Sequence, residues 1–378
     1  MRSNYDILGN HIRLVDNRNR EMISQNVLGI NIDKYFMPSV ANVIGTDLRK
    51  YKLITKGLFA CNPMHVGRDE RLPVALYTAD TPAIVSPAYF MFEVIDNGVL
   101  DNEYLMLWFR RSEFDRICWL KTDGSVRGGI TWEDICRIEL PIPPLSKQKE
   151  IVRSYKTITD RIALKQRIND NLEAQLTAIY HSFFDIPENS HTGTVSDLGD
   201  VVGGATPSTD NPNYFSENGI AWISPKDLTS TELKFINRGE ICITKDAYNS
   251  CSTKLLPAGT VLFTSRAPVG TVAIALNDIC TNQGFKSVIP KREIGTAFVY
   301  FFLKENKQLI ENHASGTTFM EVSGNVMKNI PAIVPKPEIA NQFSLLCEPV
   351  FVIQKQNELE IRRLEDLRQT VISSISRR

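Results

Sequence analysis

The chain has 378 residues, 43% of them hydrophobic, and its 43 basic and 43 acidic side chains cancel to zero net charge. That length corresponds to roughly two or three domains at about 150 residues each, and the charge balance excludes a protein that holds nucleic acid by bulk positive charge alone, because non-specific affinity comes mainly from Lys and Arg on phosphates. No run of about 18 apolar residues is present, so no membrane span is expected, and MRSNYDILGN lacks the apolar segment of a secretory signal.

Residues 1–71 form a basic island, 11 basic against 7 acidic side chains. Within it GLFACNP (57–63), apolar and closed by turn residues, predicts a strand. Residues 72–145 reverse the balance, 6 against 11, and one amphipathic helix is expected around 101–119. The chain then reads LPIPPLSKQKEIVRSY (140–155), an apolar run stiffened by prolines that turns into a charged, helix-like run. Alternating steps of four and three pick out Ile151, Tyr155, Ile158, Ile162, Lys165, Asn169, Leu172, Leu176, Ile179 and Phe183, the a/d seam of a long helix that is polar in the middle.

Residues 219–292 are basic again, 9 against 5. GTVLFTS (259–265), TVAIA (271–275) and KSVIP (286–290) predict strands, and a second amphipathic helix is expected around 296–313. AIVPKPEIANQFSLLC (332–347) writes the proline junction a second time. A second seam follows: Phe343, Cys347, Val350, Gln354, Asn357, Ile361, Leu364, Arg368, Val371 and Ile375. Pro349 must lie in the first turn of this helix or kink it.

The two junctions are 192 residues apart, Pro143 on Pro335. The same offset places DGSVRGGI over SGTTFMEV, Ile138 on Ile330 and Leu172-Glu173 on Leu364-Glu365 without a gap. Leu8-Gly9 matches Leu198-Gly199 at an offset of 190, and VSPAYF (85–90) matches TNQGFK (281–286) at 196. The order of these matches points to a duplicated unit of about 190 residues, a mixed α/β globular part followed by a long helix, too long for a solenoid repeat. One such helix would pack on its own domain as readily as elsewhere; two matched seams favour each other. The boundaries read as 1–145, 146–186 (helix), 187–337 and 338–378 (helix).

Motifs for chemistry are missing. Cys61-Asn62-Pro63-Met64 lacks the second proline and the aromatic residue of an adenine methyltransferase loop, and GDVVGGATP (199–207) lacks the Lys-Ser/Thr of a phosphate loop. Asp227 with Glu232 and Lys234 reads as a solvated polar loop rather than a metal nuclease. Cys61 and His65 lack a third group to orient a nucleophile–base pair. His181 and His313 read as surface or packing residues. The cysteines, odd in number and without a C-x-x-C pair, are expected to be free thiols in a reducing cytosol.

LPIPPLSKQKEIV with its echo, WISPKDL (222–228), LPAGTVLFTSRAPVGTVAIA (256–275) and TNQGFKSVIP (281–290) together resemble the specificity subunit of type I restriction–modification systems, over nearly the whole chain. The resemblance implies an α/β (α+β) protein with two target recognition domains, each followed by a helix, and the helices packed as an antiparallel coiled coil with pseudo-twofold symmetry. It implies that each domain reads one half of an asymmetric double-stranded DNA target, while the helices set the spacer and dock two methyltransferase subunits, which restriction (motor–nuclease) subunits join. S-adenosylmethionine, and ATP and Mg for restriction, would belong to that complex; this chain would hold no cofactor, metal or catalytic residue, and would act in the prokaryotic cytoplasm. A stand-alone methyltransferase or nuclease relic and a coiled-coil adaptor without DNA binding are the competing readings.

The polar loop residues suited to DNA are Lys226, Ser265, Arg266, Gln283, Lys286 and Thr317 in the second half. Arginine can bridge guanine O6 and N7, and glutamine adenine N6 and N7; Lys226, Lys286 and Thr317 suit phosphates. The counterparts in the first half are Asn62, His65, Arg68, Ser86, Tyr89, Ser125 and Arg127. There the pattern departs from the family: CNPMHVG stands for TSRAPVG and VSPAYF for TNQGFK. For helix packing the seam residues are Ile151, Tyr155, Ile158, Ile162, Leu172, Leu176, Ile179, Phe343, Val350, Ile361, Leu364 and Val371.

Overall fold

The structure, a computed structural model, describes residues 4–40, 45–64, 66–122, 128–229, 233–266, 268–315 and 320–375. His65, Ser125, Arg127, Glu232 and Thr317 lie outside the described residues. Packing divides the chain into two units, Met1–Ile162 with Arg363–Arg378, and Ala163–Arg362. The helices run Leu145–Phe184 and Pro337–Ser374, so packing divides each of them, whereas the boundaries drawn from the sequence keep each whole.

In the first unit an antiparallel sheet has the order Ile12–Leu14, Phe90–Val94, Phe59–Cys61, Val74–Leu76. A second sheet, Phe36–Pro38, Val27–Ile30, Ala83–Val85, Lys52–Ile54, contains one parallel pair, Val27–Ile30 with Ala83–Val85. The ends of the globular part close on each other, Tyr5–Ile7 against Glu139–Pro141. Pro141 can end this ladder because it needs no donor there. Aromatic rings fill the core: Phe59 stacks on Phe92 with centroids 5.1 Å apart, and Phe109 meets Phe114 at 4.8 Å.

The second unit repeats this plan. Gly199–Gly203, Lys286–Pro290, Val261–Phe263 and Val272–Ala275 follow the same order, and Phe235–Ile236 adds a parallel edge. The other sheet again contains a parallel pair, Ile220–Ile223 with Cys280–Thr281. Ser190–Thr194 pairs with Pro331–Pro335 to close the ends. Helices Trp132–Cys136 and Gly324–Lys328 stand 192 residues apart and are capped alike, by the Thr131 and Ser323 hydroxyls accepting from Asp134 N and Val326 N. The N-terminal edge differs from its sequence match: Leu8 N donates to Ile138 O, and the equivalent bond to Ile330 O comes from Val195, not Leu198.

Neither amphipathic helix expected from the pattern exists in that form. Asn102–Phe109 and Ser112–Leu120 are separate, as are Gly295–Glu305 and Lys307–Asn312. Tyr104–Phe109 and Ala297–Leu303 are buried on every side, so the first helix of each pair is a core helix without a polar face. The chain breaks at Arg111, which takes an extended conformation, and at Asn306.

On the central helix Ile158, Ile162 and Leu176 are buried, Ile151, Tyr155, Leu172 and Ile179 half-buried. Near its end burial shifts to Tyr180 and Phe184, which pack on Phe298 and Phe343. On the C-terminal helix Phe343, Cys347, Gln354, Asn357 and Ile361 are buried and Val350, Leu364 and Val371 half-buried, with Ile372 beside Val371 taking the deeper position. Pro349 sits mid-helix on the exposed face. The carbonyl it leaves without a donor is that of Leu345, 61% exposed, where water can serve it.

Within the second unit the helices run antiparallel through polar contacts. Lys165 Nζ donates to Asn357 Oδ1 (2.9 Å), and Asn169 exchanges hydrogen bonds with Gln354 and accepts from Asn357 Nδ2. Lys234 fixes both to the globular part. It is buried, donates to Glu173 of the central helix (2.7 Å) and Gln354 of the C-terminal helix (3.0 Å), and lies 3.9 Å from the Phe351 ring centroid. Lys234, expected in a solvated loop, is therefore a structural anchor. Glu173 also accepts from Tyr300 (2.9 Å) and Lys304 (2.5 Å), while Glu358 accepts from the Lys234 and Phe235 backbone, each at 3.1 Å.

Burial alone would raise the Glu173 carboxyl, but Lys234 and Lys304 outweigh it and hold it down at about 2; Glu358 is pushed up to about 6, chiefly by burial. A depressed carboxyl stabilises the fold above its ordinary value and loses that contribution as pH falls from 4.5 to about 2. A raised one does the reverse, so Glu358 favours the fold progressively more as pH falls from about 6 to 4.5. Glu173→Gln is expected to cost about 3–5 kcal/mol near neutral pH, since it leaves Lys234 buried without its carboxylate. Urea unfolding against pH checks both statements: the Glu173→Gln deficit shrinks below about pH 4.5, and Glu358→Gln removes the gain between about pH 6 and 4.5.

Candidate nucleic-acid interface

Each unit gathers loops at equivalent strand ends of one sheet, the one that holds Phe59–Cys61 in the first unit and Val261–Phe263 in the second. In the second unit the turn after Val261–Phe263 is held on two sides. Ser265 N donates to Gly284 O (2.8 Å), and Val322 N donates to Ser265 O (3.0 Å). Asn282 N reaches Ile223 O (2.9 Å), and Ala205 N reaches Thr281 O (3.0 Å). Loops around 205, 224, 265, 283 and 321 therefore converge.

On this surface the structure brings together Arg266, Gln283, Lys286 and Ser265. Ser265 is fully buried, which removes it as a DNA contact; its hydroxyl oxygen accepts from Lys286 Nζ at 3.4 Å. Lys286 is only 14% exposed, and its ammonium also reaches Gln283 O (3.4 Å) and Glu321 Oε1 (3.3 Å). It braces the loops rather than standing free for a phosphate. Arg266 keeps a third of its side chain exposed, with its guanidinium 3.8 Å from Glu321 Oε2. Gln283 is exposed, and its Oε1 accepts from the Thr206 hydroxyl. Lys226, in the short helix Pro225–Thr229, pairs with exposed Glu240 at 2.9 Å.

The first unit places Asn62 and Tyr89 just beyond the pair Cys61↔Phe90, as Thr264 and Phe285 bridge in the second. The structural counterpart of Asn62 is thus Thr264, one residue from the expected Ser265, and in extended chain a slip of one turns side chains to the other face. Asn62 Oδ1 accepts from Met64 N (3.1 Å), and Ser86 Oγ from Ala88 N (3.2 Å), so both shape their turns. Tyr89 is half-buried on a small core with Ile54 and Val85. Arg68 is exposed and held by Asp69 at 2.6 Å.

Among the described residues no catalytic set accompanies these loops. Cys61 is 1% exposed and burial pushes its thiol well up, the opposite of a nucleophile. Asp227 accepts from Ser224 N (2.7 Å), Ser224 Oγ (2.6 Å) and Glu240 N (2.7 Å), which makes it the organiser of its turn. Among the described residues no group of three or more His, Cys, Asp or Glu is placed to hold a metal ion. Sequence reasoning missed Thr206 and Glu321. Glu321 had a signal, an acid in line with Gly129 at the gapless offset.

The family model for the type I restriction modification DNA specificity domain matches residues 74–174 and 187–360. The chain is 39% identical over 180 residues to the type I restriction enzyme MjaIX specificity subunit of Methanocaldococcus jannaschii, which covers 46% of this chain and 41% of that protein. It is 26% identical over 190 residues to the HindI specificity subunit of Haemophilus influenzae, covering 50% and 41%. The chain thus spans well under half the length of these two relatives. The S subunit of a type I restriction–modification system from M. genitalium superposes with a TM-score of 0.58 at 13% identity, covering 98% of this chain and 95% of that one, a likeness of fold.

Close backbone approach sets the loop cluster. A Cβ on Gly204 would lie 2.2 Å from the Thr281 and Asn282 carbonyl oxygens, whereas on Gly203 its nearest neighbour would be Lys286 Cδ at 3.8 Å. Gly204→Ala is expected to cost about 1–3 kcal/mol by overpacking, and Gly203→Ala to stay within about 0.5 kcal/mol of the parent, as read from urea unfolding.

Proposed function

Since the chain belongs to the type I restriction modification DNA specificity family, we propose that it is the non-catalytic DNA-recognition subunit of such a complex. Each unit reads one half of an asymmetric, bipartite target. The observation that carries this reading is a shared scaffold with different loop side chains. Equivalent strand ends carry Arg266 and Lys286 in the second unit but Met64 and Phe90 in the first. Two equal readers would give a symmetric target; two unequal ones give unlike half-sites.

Bases are distinguished by side chains at groove edges, while phosphate contacts only position the protein. Zero net charge suits a reader whose partners share the backbone contacts. In this role Arg266 faces a base, and Lys286 sets the shape of the loop behind it. The long helices set the spacer and dock methyltransferase subunits, with restriction subunits joining them. In support of docking, the C-terminal helix turns a second apolar stripe outward at heptad spacing, with Leu345, Val352 and Leu359 at 61%, 50% and 38% exposure. S-adenosylmethionine, ATP and Mg belong to those partners.

Methylome sequencing of cells with and without the chain tests the reading. A split adenine-methylated motif is expected only with the chain, and the purified chain is expected to methylate nothing until a cognate methyltransferase subunit is added. Methylation by the chain alone, or an unchanged methylome, would overturn it. Arg266→Ala tests the assignment in the second unit: binding of the assembled complex to its target should weaken by about 1–3 kcal/mol, with discrimination relaxed in one half-site only. An equal loss on all sequences would make Arg266 a phosphate contact.

A further inference from the structure

The second unit places one carboxylate against both cations of its loop cluster. Glu321 Oε1 lies 3.3 Å from Lys286 Nζ and Oε2 lies 3.8 Å from Arg266 Nη1. The position is built. Glu321 and Ser315 exchange both backbone hydrogen bonds at 3.0 Å, and the next residue, buried Val322, donates to Ser265 O, directly before Arg266. The carboxylate is 40% exposed, so it neutralises charge at the surface while it remains able to meet a ligand.

The first unit supplies an independent observation. Ile130 N donates to Pro63 O (3.1 Å) as Val322 N donates to Ser265 O, so the residue equivalent to Glu321 is Gly129. The equivalents of Arg266 and Lys286 are Met64 and Phe90. All three charges are present in one unit and absent from the other. An acid that only solubilised a loop would have no reason to come and go with two cations.

We propose that Glu321 is a specificity-determining residue of the second unit, acting in two ways. Its charge cancels one of the two cations, which lowers affinity for phosphates of any sequence. Its exposed oxygen accepts from an exocyclic amino group in the major groove, cytosine N4 or adenine N6, beside the base that Arg266 bridges. A target without that amino group leaves the carboxylate facing acceptors, and repulsion rejects it. The inference rests on the chain being a DNA-recognition subunit.

The test uses the full chain assembled with its methyltransferase partner, comparing the parent, Glu321→Gln and Glu321→Asp. Anisotropy titrations on non-target duplex at 50 and 200 mM salt measure the charge effect. Selection from a randomised half-site measures the base effect. One extra uncompensated cation steepens the salt dependence by about 0.9 in the log–log slope, so Glu321→Gln should lose about threefold more affinity than the parent over that range. It should also relax one position of the second half-site that the parent restricts to cytosine or adenine. Glu321→Asp should keep the parent's salt dependence and weaken only the base preference. An unchanged slope and unchanged preference in a Glu321→Gln variant that melts like the parent would overturn the inference, as would a steeper slope without any relaxed position. A parent complex that prefers no sequence would instead overturn the DNA-recognition reading.

Discussion

A buried lysine ammonium is the constraint on which the second unit depends. Lys234 has left water for a cage of Phe351, Tyr300 and Phe301 rings, and such a charge is tolerated only where opposite charge and acceptors meet it. Those partners come from different parts of the chain, Glu173 from one long helix, Gln354 from the other, with Tyr300 and Lys304 completing Glu173 from a core helix. Burial pulls Lys234 down to about 8 and Glu173 answers it. An apolar contact could slide along a heptad seam at small cost; a buried pair with fixed hydrogen bonds cannot. The register of both helices against this unit is set there.

The loop cluster shows the opposite economy. Its scaffold is backbone: strand ends, close carbonyls around Gly204 and hydrogen bonds from Ser265, Val322 and Asn282 to neighbouring loops. One of these bonds recurs in the first unit, from Ile130 N to Pro63 O, while Pro63 has no N–H to repeat the bond that Ser265 donates. Because most of this frame is backbone, Arg266 and Glu321 in one copy can stand where Met64 and Gly129 stand in the other on the same strands, and Phe90 replaces the bracing Lys286. Duplication followed by exchange of such side chains is a direct route to a protein with two unlike recognition surfaces.

Some polar residues chosen for their chemistry turned out to serve the frame. Ser265 is buried and receives Lys286; Asn62 and Ser86 close their own turns; Tyr89 is half sunk in a small core. Short polar side chains beside tight turns bond nearby backbone groups as readily as a ligand, and composition alone does not separate the two uses. Arg266 and Gln283 differ because the frame leaves them exposed.

By itself the sequence determined the duplication, the strands around 59, 261, 272 and 286, the proline junctions and the polar middle of both seams. These are properties of residue order and period, and local propensity and hydrophobic pattern act along the chain. The tertiary structure decided the rest. It split each expected amphipathic helix into two, because residues 104–109 and 297–303 are enclosed from all sides and no polar face survives to be read as a period. It turned Lys234 from a loop residue into an anchor, and it set Glu321 between two cations far from it in sequence. Burial and ion pairing depend on which distant segments close around a side chain, and that enclosure is settled only when the whole unit has folded.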